Sequence, residues 1–461
     1  MTVQTSSGAA PSGAEWPVLA TPILARRDAV AAEQTSRFAA DAARPQRDLL
    51  LDAARMRRRL SRTLGAHGAV PFDRCEIVRT KYRVGESVRV VYRLAHEERE
   101  WVVACRTGAV VADTGNAPSC DPLRPTVYDR EIDTAFWVFP HDRSLRGLEL
   151  LCDATEPHTQ LAIGDACRWW VRSRLVAFAP ERAATAQCLD RSGAVRAYAK
   201  VHAAGDDLFG AAGHRALARA LQQAPSRGAL RVCVPRIIAH DPAYRLLLFS
   251  PAPGRRLIDM SADELPGALA QLGAALATLH ALPAPSTVAL PRFTRFDAPR
   301  LHQAATVIAR ARPDTAHAAL ALADRFSHCP APSQPAALLH GDVNSKNWFV
   351  DGHMVTLIDL DQLAIGAPAA EVGSMLAALR FLHRTGALSA TAEAELARGF
   401  LAGYASCGSL PSAAALRWYM AAALLMERAL RAVNRVRDQA LAVLPQLLAD
   451  ARALLDEVVY A

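Results

Sequence analysis

The spacing of apolar residues changes its period along the chain, and each change predicts a different element. Residues 27–66 place apolar side chains at helical intervals, with a break near Pro45, which predicts helix. The stretch "CEIVRTKYRVGESVRVVYRL" (75–94) alternates polar and apolar positions about a Gly-Glu-Ser turn, and "WVVACR" (101–106) follows. A period of two indicates strands with one buried face. The pattern therefore predicts a three-stranded antiparallel meander after the first helices.

A weaker version of this pattern returns further along the chain. Residues 172–189 alternate about the turn Pro180-Glu181-Arg182, and a third strand, 194–203, ends near Lys200. The turn glutamate precedes the basic residue of the third strand by 20 positions in the first meander and by 19 in the second. This spacing suggests a duplicated or convergent meander.

After the second meander the pattern becomes mostly helical. A helix is expected over 209–224, and 229–254 predicts two strands around an Asp-Pro turn, ending in a Pro/Gly-rich link. Two short strands are expected within 337–361. The remaining pattern predicts helices over 262–282, 299–326, 370–384, 391–407, 411–435 and 439–459. A β-rich part joined by a short link to a helical part predicts a two-lobed body with a cleft.

Size and composition predict a soluble globular protein of two or three packed units. The chain has 461 residues, of which 51% are hydrophobic, and no apolar run approaches the roughly 20 residues of a membrane span. Residues 1–20 are rich in Ser, Ala, Gly and Pro, which predicts a disordered tail. They show no basic segment ahead of a long apolar core, so a secretory signal is not expected and a cytoplasmic location is predicted.

Charge and cysteine content exclude several classes of function. The nine cysteines occur singly, without the paired spacing of a disulfide framework or a zinc site. The formal charge of +8 is compatible with nucleic-acid binding, and the densest basic run is "ARMRRRLSR" (54–62). That run fits one solvated face of an amphipathic helix, and no nucleic-acid-binding motif accompanies it. Neither nucleic acid nor a membrane is expected as a partner, and the oligomeric state stays open.

Polar residues concentrate in "HGDVNSKNWFV" (340–350) and in "VTLIDLD", which follows a short turn. Asp342 and Asn347 lie five apart in a loop and can face one site, while Asp359 arrives from the end of the adjacent strand. Phosphoryl transfer from ATP needs a base for the acceptor hydroxyl and a divalent metal held by a carboxylate and an amide oxygen. His340 is expected to support the loop through buried hydrogen bonds rather than to shuttle protons.

Lysine is rare in this chain, which draws attention to the positions where it occurs. Only Lys81, Lys200 and Lys346 are lysine among 53 basic residues. A compact ammonium on a flexible stem suits phosphate oxygens in a confined site, where a planar guanidinium would not fit in the same way. Lys200 and Lys346 are therefore candidates for nucleotide binding. The alternative is that the three lysines survived a codon bias.

The order His-Gly-Asp, four residues, Asn, then Ile-Asp-x-Asp resembles the signature of the aminoglycoside phosphotransferase and choline kinase-like family. The resemblance is specific at 340–361 and extends weakly over 172–435. It implies an α+β, bilobal, protein-kinase-like fold with a small β-rich N-lobe at 171–253 and a helical C-lobe at 254–461. Residues 21–170 would add a helical segment and an α/β cap subdomain, which loosely resembles that of maltokinase-like members.

The resemblance also implies roles for individual residues. Asp342 would be the catalytic base, Asn347 and Asp359 would bind Mg²⁺, and Asp361 would lie close enough to assist. Lys200 would contact the α- and β-phosphates of ATP. The stretch "LLLFSPAPGRRL" (246–257) is similar to the hinge of the family, whose backbone would bind adenine at Phe249, Ser250, Pro251 and Ala252.

The chain departs from the family pattern at several positions. The helix after Lys200 contains no acidic residue to pair with that lysine, so either Asp206 or Asp207 substitutes or the lysine is positioned otherwise. Glu371 stands where the family usually has an aspartate. Arg182, in a turn that is not glycine-rich, either touches phosphate or is a solvent-exposed turn residue.

Two functions follow from these observations. The first is an ATP- and Mg²⁺-dependent phosphotransferase acting on a hydroxyl of a sugar, an amino alcohol or an antibiotic. The alternative is a catalytically silent relative that binds nucleotide or a partner in the same cleft. The arginines of residues 378–435 favour a neutral or anionic acceptor over a polycationic one, unless they form a solvated surface.

Overall fold

The structure is a computed structural model that describes residues 38–65, 72–97, 99–108, 126–152, 168–203, 210–224, 230–284 and 289–459. The predicted tail at 1–20 lies outside these residues, as do Asp206 and Asp207. Within them the protein has the predicted α+β, bilobal, kinase-like architecture with an additional cap in front of it.

The cap combines two helices with an antiparallel sheet. Its elements are α1 (Arg47–Leu50), α2 (Ala53–Gly65), β1 (Arg74–Arg83), β2 (Ser87–His96), β3 (Arg99–Thr107), β4 (Thr126–Asp129) and β5 (Thr134–Val138), with strand order β1-β2-β3-β5-β4. The period-2 pattern sends Val88, Val90 and Tyr92 toward the helices. The prediction of helix over 27–66 is wrong for residues 38–46, which form bends and turns. Residues 27–37 and 66 of that range lie outside the described chain.

The N-lobe sheet packs face to face against the cap sheet. Its elements are β6 (Arg172–Ala179), β7 (Ala183–Leu189), β8 (Val195–His202), α3 (Gly210–Gln223), β10 (Ile237–Asp241) and β11 (Leu246–Phe249), and the strand order is β10-β11-β8-β7-β6. Ala199 and Val201 of β8 belong to the hydrophobic core shared with Val91 and Trp137 of the cap. Because side chains alternate along a strand, Lys200 points to the opposite face, toward the C-lobe.

One strand of this region was not predicted. Residues 229–254 form three strands instead of two, because β9 (Arg231–Cys233) is separated from β10 by Pro235, which has no amide hydrogen to donate. Strand β9 leaves the N-lobe sheet and runs parallel to β15 (Met354–Leu357) in a second sheet, with β12 (Arg255–Arg256) and β14 (Trp348–Asp351). It therefore connects the segment before the hinge to the segment that carries Asp359.

The C-lobe is helical around a small sheet. Its helices are α4 (Leu265–His280), α5 (Ala298–Ala311), α6 (Ala316–His328), α7 (Pro368–Arg384), α8 (Ala390–Cys407), α9 (Ala413–Ala423), α10 (Leu430–Arg435), α11 (Asp438–Ala442) and α12 (Leu444–Val459), and β13 (Ala337–Leu339) pairs with β16 (Ala364–Gly366). The single helix predicted over 299–326 is wrong, because Pro313 ends α5 and begins a short 3₁₀ turn. The helix predicted over 439–459 is likewise divided at Val443.

The helix predicted over 411–435 is continuous but irregular. Residues Leu424–Ala429 between α9 and α10 form a π-helical turn, which carries the buried Glu427. Such turns are uncommon and often occur near functional sites. In the described part of the chain, no helix combines the length and apolar character required to cross a membrane.

Candidate active site

The loop between β13 and β14 brings Asp342 and Asn347 together. A one-turn 3₁₀ helix at Ser345–Asn347 curves the chain, and the Asn344 side chain accepts a hydrogen bond from the Lys346 amide. The Asn347 Nδ2 donates to the main-chain oxygen of Asp342 at 3.0 Å and to its Oδ2 at 3.3 Å. Because the amide nitrogen is used in this way, the amide oxygen of Asn347 remains as an acceptor. Asn347 is buried, and Trp348 after it is fully buried, which fixes the loop to the core.

A buried carboxylate holds the start of this loop. Glu371 accepts hydrogen bonds from the amides of His340 at 3.0 Å and Gly341 at 2.7 Å, and it contacts His280 Nε2 at 3.0 Å. Gly341 has φ +82°, and a Cβ there would lie 1.8 Å from the main-chain oxygen of Gln362, so only glycine fits. The longer glutamate at the position where the family usually has aspartate is thus an anchor of the turn.

His340 supports the loop from inside, as the sequence predicts. Its ring is fully buried, contacts the main-chain oxygen of Ile358 through Nε2 at 2.9 Å, and accepts from the Asp342 amide through Nδ1 at 3.3 Å. The ring also lies 5.5 Å from that of Trp348, centroid to centroid. These contacts connect the Asp342 loop to the strand that ends before Asp359.

Lys200 of the N-lobe meets two carboxylates of the C-lobe. Its ammonium donates to Asp359 Oδ1 at 2.7 Å and to Asp361 Oδ2 at 2.6 Å. Burial by itself would raise the pKa of Asp359, but the Lys200 ammonium outweighs burial and holds that pKa well below its usual range. Burial would likewise lower the pKa of Lys200, and the two carboxylates outweigh it and raise that pKa. Lys200 and Asp359 are therefore both charged at neutral pH.

The residues around this ion pair have the chemistry of a magnesium site. Among the described residues, no three His, Cys, Asp or Glu side chains already form a metal cluster. Two carboxylates, Asp359 and Asp361, and the free amide oxygen of Asn347 are nevertheless hard oxygen donors of the kind that Mg²⁺ prefers. Asp359 has φ 62° and ψ 57°, a left-handed conformation that Asp tolerates better than most residues. This conformation turns the chain sharply after Ile358.

Lys200 has its acidic partners in the C-lobe and not in the helix that follows it. Helix α3 contains no acidic residue, and its buried His214 instead contacts the main-chain oxygen of Pro235 and packs 5.2 Å from the Phe249 ring. Lys200 is therefore positioned by Asp359 and Asp361, not by the following helix. The predicted substitutes, Asp206 and Asp207, lie outside the described residues.

The hinge residues surround the end of β11. Ser250 and Arg236 are paired through Ser250 N to Arg236 O at 2.8 Å and Arg236 N to Ser250 Oγ at 3.0 Å. Phe249, Ser250 and Ala252 are half-buried, and Pro251 is exposed. Lys346 is exposed beside the loop. Burial raises the pKa of Asp359, and the charge of Lys346 adds to that of Lys200 in lowering it.

Three charged residues beside Asp342 were not singled out from the sequence. Glu427 in the π-helical turn is paired with Arg295, whose guanidinium also donates to the main-chain oxygen of Gly341 at 2.5 Å. Arg431, four residues on, lies 3.7 Å from Asp342 Oδ1 and 3.8 Å from Glu427. The only sequence signal was a glutamate at helical spacing among arginines, "ERALR" (427–431). A pattern of this kind is also typical of an exposed helix.

A second charged cluster lies at the turn between β6 and β7. The Glu181 carboxylate is almost fully buried and binds Arg89 at 2.9 Å, Arg106 at 2.9 Å and Arg143 Nε at 2.6 Å, all from the cap region. The Glu181 amide donates to Asp142 at 2.8 Å. The exposed Arg182 lines a cavity beside this cluster. The cap thus holds the turn that, in the predicted fold, covers the nucleotide.

The fold and the convergent polar residues define a kinase-like phosphotransferase. The model of the phosphotransferase enzyme family, APH, matches residues 210–416, which contain α3, the hinge, the Asp342 loop and Glu371. This part of the chain is similar to that family, and the prediction of a phosphotransferase-type kinase is confirmed. Lys200 and the cap lie outside the matched residues, so the maltokinase-like resemblance of the cap stays a prediction.

Solved structures with a similar fold include three kinases. A choline/ethanolamine kinase family protein from Mesorhizobium loti is 18% identical, with 66% of this chain and 97% of that chain covered and a TM-score of 0.42. An amicoumacin kinase in complex with AMP-PNP and Ca²⁺ is 14% identical, covering 61% and 88%, with a TM-score of 0.43. An aminoglycoside phosphotransferase from Streptomyces rimosus is 22% identical, covering 57% and 93%, with a TM-score of 0.37. No curated protein matches the sequence.

Proposed function

We propose that this protein is an ATP- and Mg²⁺-dependent phosphotransferase that phosphorylates a hydroxyl group of a small molecule. The observation that carries the proposal is the contact of the Lys200 ammonium with the carboxylates of Asp359 and Asp361. These residues are 159 and 161 positions away in the sequence. A cation for phosphate oxygens and two carboxylates for a metal stand beside the Asp342 loop. Phosphoryl transfer depends mainly on such positioning and on charge stabilisation.

Asp342 is the proposed catalytic base. Its Oδ2 is held by Asn347 at 3.3 Å, and its amide is held by His340, so the carboxylate has a fixed direction. In this role it would accept the proton of the acceptor hydroxyl as the oxygen attacks the γ-phosphorus atom. The Arg431 guanidinium lies 3.7 Å from Asp342 Oδ1 and would orient the Asp342 carboxylate or the acceptor.

Asn347, Asp359 and Asp361 are the proposed metal ligands. These three side chains would hold Mg²⁺, whose charge would neutralise phosphate oxygens of the nucleotide. Lys200 would then exchange one of its carboxylate contacts for the α- and β-phosphates. The exposed Lys346 is positioned to add a second positive charge on the phosphate side.

The adenine would bind at the hinge through a restricted set of backbone groups. The Ser250 amide already donates to Arg236 O, and Pro251 has no amide hydrogen. Adenine would therefore rely on the Ala252 amide and on main-chain oxygens near Ser250, with Phe249 beside the ring. The same roles assign residues 171–253 to the N-lobe and 254–461 to the C-lobe, with the cap at 21–170.

Transfer of the γ-phosphate tests the proposal directly. Purified protein is incubated with Mg²⁺, γ-labelled ATP and panels of sugars, amino alcohols and antibiotics, and labelled product is separated from ATP. Asp342→Asn should reduce transfer by about 10³-fold while AMP-PNP affinity, measured by calorimetry, changes little. The matched control is Asp351→Asn, an exposed carboxylate at the end of β14, which should transfer at the wild-type rate.

A catalytically silent relative remains the alternative, and one observation favours it. Lys200 is bound to both candidate metal carboxylates and has no acidic partner in α3 to draw it away. A silent protein would bind AMP-PNP without a requirement for Mg²⁺ and would neither transfer nor hydrolyse phosphate. The phosphotransferase proposal requires nucleotide affinity to rise with Mg²⁺ and to lose that rise in Asp359→Asn.

A further inference from the structure

A cationic cavity of about 660 Å³ lies between the cap and the turn of the N-lobe that carries Glu181. We call it the cap cavity. Its lining residues are Lys81, Arg83, Arg89, Arg143, Ser144, Arg146, Glu181, Arg182, Ala203 and Arg245. Seven of these are basic and one is acidic, so the cavity concentrates positive charge.

The strands of the cap set basic residues directly opposite one another. In the sheet register, Lys81 of β1 is paired with Arg89 of β2, and Arg89 is paired with Arg106 of β3. Like charges directly opposite in a sheet destabilise it. Glu181 contacts Arg89 and Arg106. One carboxylate pairs with two of these three cations, and the row keeps an excess of positive charge that a bound anion would offset.

No carboxylate of the described residues is paired with the Lys81 ammonium. Burial first, and then the neighbouring Arg83, Arg182, Arg89 and Arg435, lower the pKa of Lys81 to about 8. Burial also lowers the pKa of Arg89 despite Glu181. The nearby Asp142 carboxylate accepts hydrogen bonds from main-chain amides, including that of Glu181.

The cationic surface continues to the candidate catalytic base. Arg431 lies 3.7 Å from Asp342 Oδ1. Arg435 is one turn further along α10, so that the two side chains share a face of the helix. Arg435 is also among the charges that lower the pKa of Lys81. Positive side chains therefore lead from Asp342 through the C-lobe to the cap.

We propose that the cap cavity binds a phosphate or carboxylate group, and that this group is the anionic part of the acceptor whose hydroxyl reaches Asp342. The assignment of this group to the acceptor rests on the proposed function, whereas anion binding in the cap cavity does not. A lysine ammonium and several arginine forks together suit the oxygens of a phosphate better than a neutral ligand. The same charges repel a polycationic acceptor.

Pyrophosphate is the probe for the site itself. Its binding to the full-length protein is measured by calorimetry at low salt, without Mg²⁺ or nucleotide. Lys81→Met and, separately, Arg146→Gln should each weaken binding about ten-fold, because each removes one charged donor. Arg146 is exposed, so its replacement keeps the packing even if Lys81→Met perturbs the sheet.

Two controls identify where the probe binds. Arg74→Gln removes an exposed charge from the other end of β1, roughly 23 Å along the strand, and should leave affinity unchanged. Lys200→Met removes the proposed nucleotide contact and should also leave it unchanged. Failure of wild type to bind pyrophosphate, or binding lost in Lys200→Met but kept in Lys81→Met and Arg146→Gln, overturns the cap cavity as an anion site.

The acceptor is tested with matched pairs of neutral sugars and their phosphate or carboxylate derivatives in the γ-phosphate assay. An anionic acceptor should compete with pyrophosphate, and Arg146→Gln should raise its KM about ten-fold with kcat unchanged. Phosphorylation of neutral acceptors only, at a KM that Arg146→Gln does not change, contradicts the acceptor assignment. Anion binding without phosphorylation of any acceptor would instead contradict the proposed function and leave the pyrophosphate site intact.

Discussion

The two charged clusters of this protein have opposite composition although both involve the second meander. On one face of the N-lobe sheet, the single cation Lys200 contacts the carboxylates of Asp359 and Asp361. In the turn between β6 and β7, the single carboxylate of Glu181 contacts Arg89, Arg106 and Arg143. The first cluster has an excess of negative charge, and the second has an excess of positive charge.

An unbalanced cluster in a partly buried position is costly to maintain, because desolvated like charges repel. Each imbalance therefore indicates the sign of the ion that the cluster is suited to bind. The excess carboxylate beside Asn347 is suited to a divalent cation, and the excess guanidinium beside Lys81 is suited to an anion. Four experiments test this comparison.

The largest effect is expected at the acidic cluster. Asp359→Asn leaves Lys200 and Asp361 as a balanced pair and removes a proposed metal ligand. We expect Mg²⁺-dependent phosphate transfer to fall about 10³-fold, equivalent to about 4 kcal/mol in the activation free energy. Initial rates across a Mg²⁺ titration measure this change. A variant that keeps more than a tenth of the wild-type rate at saturating Mg²⁺ would contradict a metal role for Asp359.

At the basic cluster, Glu181→Gln leaves three arginines close together without a carboxylate. Removing one partner of a buried ion pair costs about 3 kcal/mol in the free energy of unfolding, and urea denaturation measures it. The control is Glu86→Gln in the corresponding turn of the cap meander, where the side chain is exposed and the expected change is within about 0.5 kcal/mol. Equal effects of the two substitutions would show that the buried cluster contributes no special stability.

Lys200→Met separates the two roles of that lysine. Without the ammonium, both carboxylates are free for a metal, so Mg²⁺ alone should bind about ten-fold more tightly than to wild type. Phosphate transfer should nevertheless fall, since a contact to the nucleotide is lost. Calorimetry with MgCl₂ and the transfer assay measure the two effects on the same preparation. Unchanged or weaker Mg²⁺ binding would mean that Lys200 does not compete for these carboxylates.

The fourth experiment concerns Lys81, and its expected effect depends on pH. Its pKa is about 8 in the folded protein against an ordinary value of 10.5, so between these values the unfolded chain holds a proton that the folded chain has released. This lysine therefore makes the folded state more stable as pH rises through that window. Without added anion, Lys81→Met should melt at a higher temperature than wild type at pH 7, and the difference should disappear toward pH 10.5.

The sequence predicts the Asp342 loop well because its determinants are local. His340, Asp342 and Asn347 lie within eight residues of one another, and the strands on either side follow from short apolar runs. The family match at residues 210–416 includes this loop. The two meanders also formed as predicted, because alternation within a strand is a local signal.

The sequence did not predict the contacts that join distant segments. The partners of Lys200 are not in the following helix but beyond the hinge, and the partners of Glu181 belong to the cap. Arg106 occupies the position in the first meander that Lys200 occupies in the second, yet it binds the turn of the other sheet. Such pairings depend on how two sheets stack, which no periodicity of one strand encodes. The breaks at Pro235 and Pro313 were missed although proline marks both.

Strand β9 has a consequence for any attempt to divide the protein. Arg231–Cys233 precede the hinge in the chain, yet they pair residue by residue with Met354–Thr356, directly ahead of Ile358 and Asp359. A gene cut at the hinge would leave the smaller, C-terminal fragment with an uncovered β15 edge and the larger, N-terminal one with a strand that has lost its sheet. The two lobes are thus a single expression unit, and exchange of cap or N-lobe modules between relatives has to keep this strand with its C-terminal partner.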